Sequence, residues 1–206
     1  RVVPIEPDSH ILLDVVHHIA ADGWSIPQMR MEVGAYYNAA KEGRTPDLEP
    51  AIQYRDVARE RLHDEVAADL EYWRSALEDA PETITLPADR PAGPTRPAAG
   101  SRAKPTVLGI GPGQRERLAG ELEATPSMIG LAVFATALAR YARTSEVVIG
   151  MPVTGRTDSS AEGVIGPFFN SLPIRLRIDP EMSLRELVSQ TRGQVLDAME
   201  HEVPFD

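Results

Sequence analysis

Residues 11–16 read Ile-Leu-Leu-Asp-Val-Val, a short apolar run rich in β-branched residues and broken only by Asp14. Such a run predicts a strand, mostly buried. Residues 17–23 follow as a turn, and Ser25 then opens a helix. Ser25 and Gln28 have the spacing of a capping box, and Pro27 is tolerated in a first helical turn. Ile26, Met29, Val33, Tyr36 and Ala40 recur every three to four residues and form one apolar stripe. After a break over 43–50, a long and highly charged helix is predicted over 52–77, with Val66, Leu70, Trp73 and Leu77 on one face.

Prolines at 81, 87, 91, 94, 97 and 105 then exclude any regular element over 81–105. This segment is either a linker between lobes or an extended crossing, and a lobe boundary is placed there. Beyond it the pattern predicts a strand over 106–110, helices over about 113–124 and 127–142, and a strand over 147–153. A loop over 155–163 leads to a strand over about 172–178 and a helix over about 184–200. Ser183 and Glu186 give that last helix its own capping box. Alternating strands and helices imply an α/β or α+β layered fold.

Hydrophobic residues make up 42% of the 206, enough to build a core. The net charge of -10 argues against nucleic acid as the main partner and against an anionic membrane surface. With no cysteine, a thiolate nucleophile, a disulfide and a Cys-ligated metal are excluded, which fits a cytoplasmic protein. No apolar run approaches the ~18–20 residues of a membrane span, and the N-terminal sequence is no signal peptide. Lacking an initial Met, the sequence is expected to start inside a larger polypeptide.

Chemistry concentrates at His17-His18-Ile19-Ala20-Ala21-Asp22-Gly23. Adjacent residues at a strand end point to opposite faces, so one histidine at most looks readily into a given site. A neutral imidazole there suits general-base work. Gly23 permits close approach of a ligand or a positive φ, and the Trp24–Ser25 helix start offers backbone donors. The plainer reading is a pair of packing histidines. A metal site built on His18 and Asp22 lacks a third ligand at any clear spacing. The Gly109-Ile110-Gly111-Pro112-Gly113 run is spaced G-x-G-x-G and reads as a turn into a helix. Arg156 is either an anion ligand or a solvated loop cation, and Asn170 either holds a ligand or caps a turn.

Together and in this order, these pieces resemble the condensation domains of non-ribosomal peptide synthetases. The family's HHxxxDG signature matches His17, His18, Asp22 and Gly23, with the frequent Trp-Ser continuation at Trp24 and Ser25. Tyr54, Asp56 and Ala58 match part of a Tyr-x-Asp-Phe-Ala-x-Trp motif, with Val57 and Glu60 at its aromatic positions. Leu86-Pro87-Ala88-Asp89-Arg90-Pro91 resembles the usual entry to the inter-lobe linker. Residues 148–157 are similar to a loop at the lobe interface. Ile165-Gly166-Pro167-Phe168-Phe169-Asn170-Ser171 resembles Ile-Gly-x-Phe-Val-Asn-Thr. Residues 200–206 resemble His-Gln-Asp-x-Pro-Phe-Glu, with Pro204 and Phe205 matching.

The resemblance implies a two-lobed, chloramphenicol-acetyltransferase-like α/β fold of two-layer sandwich lobes, here lacking both ends. Residues 1–85 would be the end of the N-terminal lobe, 86–105 the linker, and 106–206 part of the C-terminal lobe. It implies amide formation between a donor thioester and an acceptor amine, both delivered on phosphopantetheine arms. No cofactor would be bound directly, and the partners would be donor and acceptor carrier domains and an adenylation domain. His18 would be catalytic, as general base or by electrostatic positioning. His17, Asp22, Gly23, Trp24 and Ser25 would shape the site. Asp22 would pair with an arginine of an upstream motif outside this chain. Arg156 and Asn170 would line the tunnel at the lobe interface. The alternatives are an epimerisation domain of the same superfamily and a non-catalytic docking platform of the same fold.

Overall fold

The structure is a computed structural model, and it describes residues 1–61, 66–87, 111–156 and 161–203. Its described residues fall into two compact units that are not consecutive along the chain. One draws on Arg1–Val66 and Pro152–Ser171, the other on Ala67–Met151 and Leu172–Val203.

The first unit begins with a hairpin of β1 (Val2–Glu6) and β2 (Ser9–Leu12). The strands pair antiparallel, Val2 opposite Leu12 and Val3 opposite Ile11, with an irregularity between Pro4 and Glu6. Pro7 and Asp8 make the turn, residue types that favour one. The run at 11–16 therefore contributes only its first two residues to a strand, and these lie exposed rather than buried. Pairing to β1 satisfies the backbone, while no described residue covers the side chains. Helix α1 (Ser25–Lys41) forms where expected, but Val33 and Tyr36 of its apolar stripe are exposed. The helix expected over 52–77 is described as α2 (Tyr54–Arg61) and α3 (Ala67–Ala76), the second belonging to the other unit, and Val66 is not helical.

Against α2 lies the segment Ala161 to Phe168. Val57, Ala161, Val164 and Phe168 form a small core. Gly166 has a defined reason to be glycine: a Cβ there would sit 2.4 Å from the Tyr54 ring. Tyr54 also stands edge-on to Phe168, with centroids 4.9 Å apart.

The second unit holds the main core. α4 (Pro112–Glu121), α5 (Pro126–Ala142) and α6 (Leu184–Glu200) pack through Ile129, Ala132, Leu187 and Val188, with Leu118, Leu122 and Met182 at the margin. Thr125 caps α5 by accepting the Met128 N–H at 3.2 Å. Ser183 and Glu186 form the expected reciprocal box on α6. β3 (Glu146–Val153) pairs with β4 (Asn170–Arg177), and the chain crosses between units within both strands. β4 alternates strictly, burying Leu172, Ile174 and Leu176. Arg175 ties this sheet to the end of α3. It donates to Glu146 at 2.7 Å and to the carbonyls of Ala76 and Glu78. Hydrogen bonds from Arg175, then Arg177, hold the Glu146 carboxyl below its ordinary value.

The strand expected over 106–110 and most of the Pro-rich segment lie outside the described residues, as do Thr157, Pro204 and Phe205.

Candidate active site

The HHxxxDG turn is held by one buried ion pair. Arg156 is 3% exposed and Asp22 7%, and Arg156 Nη2 lies 3.0 Å from Asp22 Oδ1 and 3.1 Å from Oδ2. The other Arg156 nitrogen, Nη1, donates to the carbonyls of Ala161 and Val164. Its guanidinium stacks over the Phe168 ring at 4.1 Å. Phe168 returns its own backbone N–H to Asp22 Oδ2 at 3.2 Å. Ser25 closes the arrangement. Its N–H and hydroxyl both donate to Asp22 Oδ1, at 2.8 and 2.7 Å, and its oxygen accepts the Gly166 N–H at 3.1 Å. Three stretches of sequence, the turn at 17–25, Arg156 and 161–168, are thereby clasped within the first unit.

Burial pushes the Asp22 carboxyl up. Hydrogen bonds from Ser25 and Arg156, with the Arg156 charge, outweigh that effect, so it titrates below its ordinary value.

This geometry bears on several expectations drawn from the sequence. The ion-pair partner that Asp22 has among the described residues is Arg156, 134 positions away. Arg156 is accordingly not a solvated loop cation. Ser25 forms no capping box with Gln28: Trp24 occupies the cap with no side-chain bond, Gln28 turns to Glu32, and Ser25 spends its hydroxyl and its N–H on Asp22. Gly23 has no positive φ, and a Cβ there would meet nothing within 4 Å. Of its two proposed uses, only leaving room for a ligand survives.

The two histidines part company. His17 Nδ1 accepts the Ile19 N–H at 3.1 Å, which fixes it in its own turn. His18 is exposed, has no hydrogen-bond partner among the described residues, and meets Phe169 edge to face at 4.6 Å. Trp24 is 57% exposed. Asn170 is buried, and its Oδ1 accepts the adjacent Ser171 N–H at 2.8 Å. Tyr54 and Phe169 were not singled out for the site from sequence. Tyr54 belonged to a motif that matched only in part, and Phe169 departs from the motif it sits in. A cavity of about 610 Å³ in the same unit is lined by Gln28, Glu32, Tyr36, Asp47 and Val164, and His18 is not part of its lining. Among the described residues no group of three or more His, Asp or Glu is placed to hold a metal. No single described helix is long and apolar enough to cross a membrane.

A family model described as the condensation domain matches residues 1–206. The chain belongs to the condensation-domain family. Among curated relatives of this condensation domain is phosphinothricin tripeptide synthetase of Streptomyces viridochromogenes. It is 36% identical over 98% of this chain and 19% of that protein. Isonitrile lipopeptide synthase of Mycobacterium tuberculosis is 35% identical over 98% of this chain and 8% of its own length. The dimodular nonribosomal peptide synthase of Bacillus subtilis is 32% identical over 98% of this chain and 9% of that protein. The chain thus spans a small part of the synthetases it matches. Among solved structures, the first condensation domain of the CDA synthetase superposes with a TM-score of 0.67 at 26% identity, over 90% of this chain and 42% of that one. The X-domain solved with OxyB from teicoplanin biosynthesis gives 0.76 at 30% identity, over 92% and 44%. The α/β fold expected from sequence, that of the chloramphenicol-acetyltransferase-like condensation domains, is the fold found.

Proposed function

We propose that this condensation domain forms an amide bond between two carrier-bound substrates, with His18 as the group that acts on the attacking amine. The acceptor amine attacks the donor's thioester carbonyl. The C–N bond forms, the C–S bond breaks, and the amine proton ends on the departing thiol. The observation that carries the reading is the state of His18. Its imidazole is exposed and unengaged by hydrogen bonds, yet it sits four residues before an aspartate that is locked by a buried ion pair. That is the placement of a working base or a positioning group, on a turn that cannot drift.

The domain itself binds no cofactor in this reading. Phosphopantetheine arms of donor and acceptor carrier domains bring the substrates, and an adenylation domain supplies them. A reaction among such domains suits a cytoplasmic location. On the same proposal, residues 1–85 and 106–206 belong to the N- and C-terminal lobes, joined by 86–105, and Asn170 shapes the tunnel from beneath its lining.

A second reading, a docking platform, is favoured by the likeness to the X-domain, which was solved in complex with OxyB. The test loads donor and acceptor carriers with the full-length protein and follows the acceptor by intact mass. Gain of the donor's mass supports condensation. An acceptor that stays unchanged while both carriers remain loaded favours the platform.

A further inference from the structure

We propose that Phe169 is a positioning residue for His18: its ring sets the orientation of the imidazole and narrows the space beside it. The inference rests on His18 being the acting group.

The segment after Gly166 alternates in and out. Phe168 is 4% exposed, Phe169 47% and Asn170 6%. This is the two-residue period of extended chain, and it turns residue 169 away from the small core that holds Phe168. On that outer side the Phe169 ring meets the His18 ring at 4.6 Å with 75° between the planes. An edge-to-face pair is directional, because the edge of one ring carries positive potential and the face of the other negative. His17 next door is fixed by a hydrogen bond, whereas His18 makes no hydrogen bond among the described residues and meets the Phe169 ring.

Both partners hang from the same clasp. His18 lies four residues before Asp22, and Phe169 directly follows Phe168, whose N–H is bonded to Asp22 and whose ring lies under Arg156. The relative placement of the two rings is therefore set by the buried ion pair. Where this chain has Phe169, the motif it resembles has valine, which offers no aromatic face and occupies less room. The substitution gives His18 a directional neighbour and narrows the access of bulky acyl or amino groups to it.

The test compares wild type, Phe169→Val and Phe169→Tyr in the full-length protein. Single-turnover transfer between loaded carriers is measured across acceptor-carrier concentrations. In parallel, diethyl pyrocarbonate modification of His18 is mapped by peptide mass, with His10 as internal reference. Phe169→Val is expected to lower the saturating rate by on the order of tenfold with little change in half-saturation, since small misplacements of an acting group are costly. It should speed modification of His18 but not of His10, and relax discrimination against bulky acceptors. Phe169→Tyr should restore wild-type behaviour. Because Phe169 is half exposed, its loss hollows no core, and an unchanged melting temperature separates positioning from unfolding; Phe169→Leu replaces the valine variant should that one melt early. Unchanged transfer together with unchanged His18 modification in Phe169→Val overturns the inference. Should the wild type transfer nothing, the functional reading fails, and the modification rates alone decide: faster at His18 upholds the positioning, equal rates overturn it.

Discussion

Asp22 and Arg156 are the residues on which the candidate site hangs. Removing one partner of a buried pair leaves the other charged and without compensation, at a cost of about 3–5 kcal/mol. Arg156→Ala and Asp22→Ala should each lower unfolding stability by about that amount in denaturant titrations, and the double variant should lose less than the sum of the two. The pair also has a pH signature. The folded carboxyl of Asp22 titrates below its ordinary value, so its contribution is full above the unfolded value and disappears as pH falls through the folded one. Glu146 works in the same direction through Arg175 and Arg177. Stability should therefore fall as pH drops below about 4, the ordinary carboxylate range, and Asp22→Asn should flatten part of that dependence. An unaltered acid limb in Asp22→Asn would remove Asp22 from the account. At this scale the sequence already named His18, Asp22 and Arg156. It did not join the last two, because a separation of 134 positions carries no distance until the chain is folded. A buried cation that holds its own loop looks, in one dimension, like any loop arginine.

The loop at 161–168 and helix α2 test the packing of elements. Gly166 gives its Cβ space to the Tyr54 ring. Gly166→Ala should destabilise the protein by about 1–3 kcal/mol, the usual cost of overpacking. Tyr54→Ala in the same background should recover part of that loss, because the two act on one volume. Additive losses in chemical denaturation would show that the contact is not tight. Elements specified by local chemistry were legible in advance. The Ser183–Glu186 box starts α6, the alternation of β4 buries Leu172, Ile174 and Leu176, and the break over 43–50 ends α1 close to its expected place. Those decided by tertiary competition were not. Ser25 has two possible acceptors for its bonds, and the buried Asp22 outcompetes the ordinary box with Gln28. The hairpin strand β1 carries Pro4, which cannot donate to a ladder and masks the strand pattern around it.

Across the whole molecule, the acidic excess and the apolar surface pull in opposite directions. The net charge of -10 keeps copies apart, yet Val2, Val3, Ile5, Ile11, Leu12 and Leu13 are exposed together on or beside the β1–β2 hairpin. This apolar hairpin predicts association of the isolated chain that rises with concentration and with salt, as screening removes the repulsion. Light scattering that shows a monomer throughout, at high salt, would contradict it. Family membership was legible because the motifs keep their order along the chain. The division into units was not, because it follows packing and crosses the chain within β3 and β4.

The proposed role of His18, on a turn held through Asp22 and Arg156, is to act in the transfer. Its most direct test is the single-turnover rate of donor transfer in His18→Ala against wild type, within the full-length protein and with both carriers loaded. A loss of about 10²–10⁴-fold, the range for removal of a general acid–base group, with folding stability unchanged, is the expected result. Equal rates in the two proteins would contradict the account.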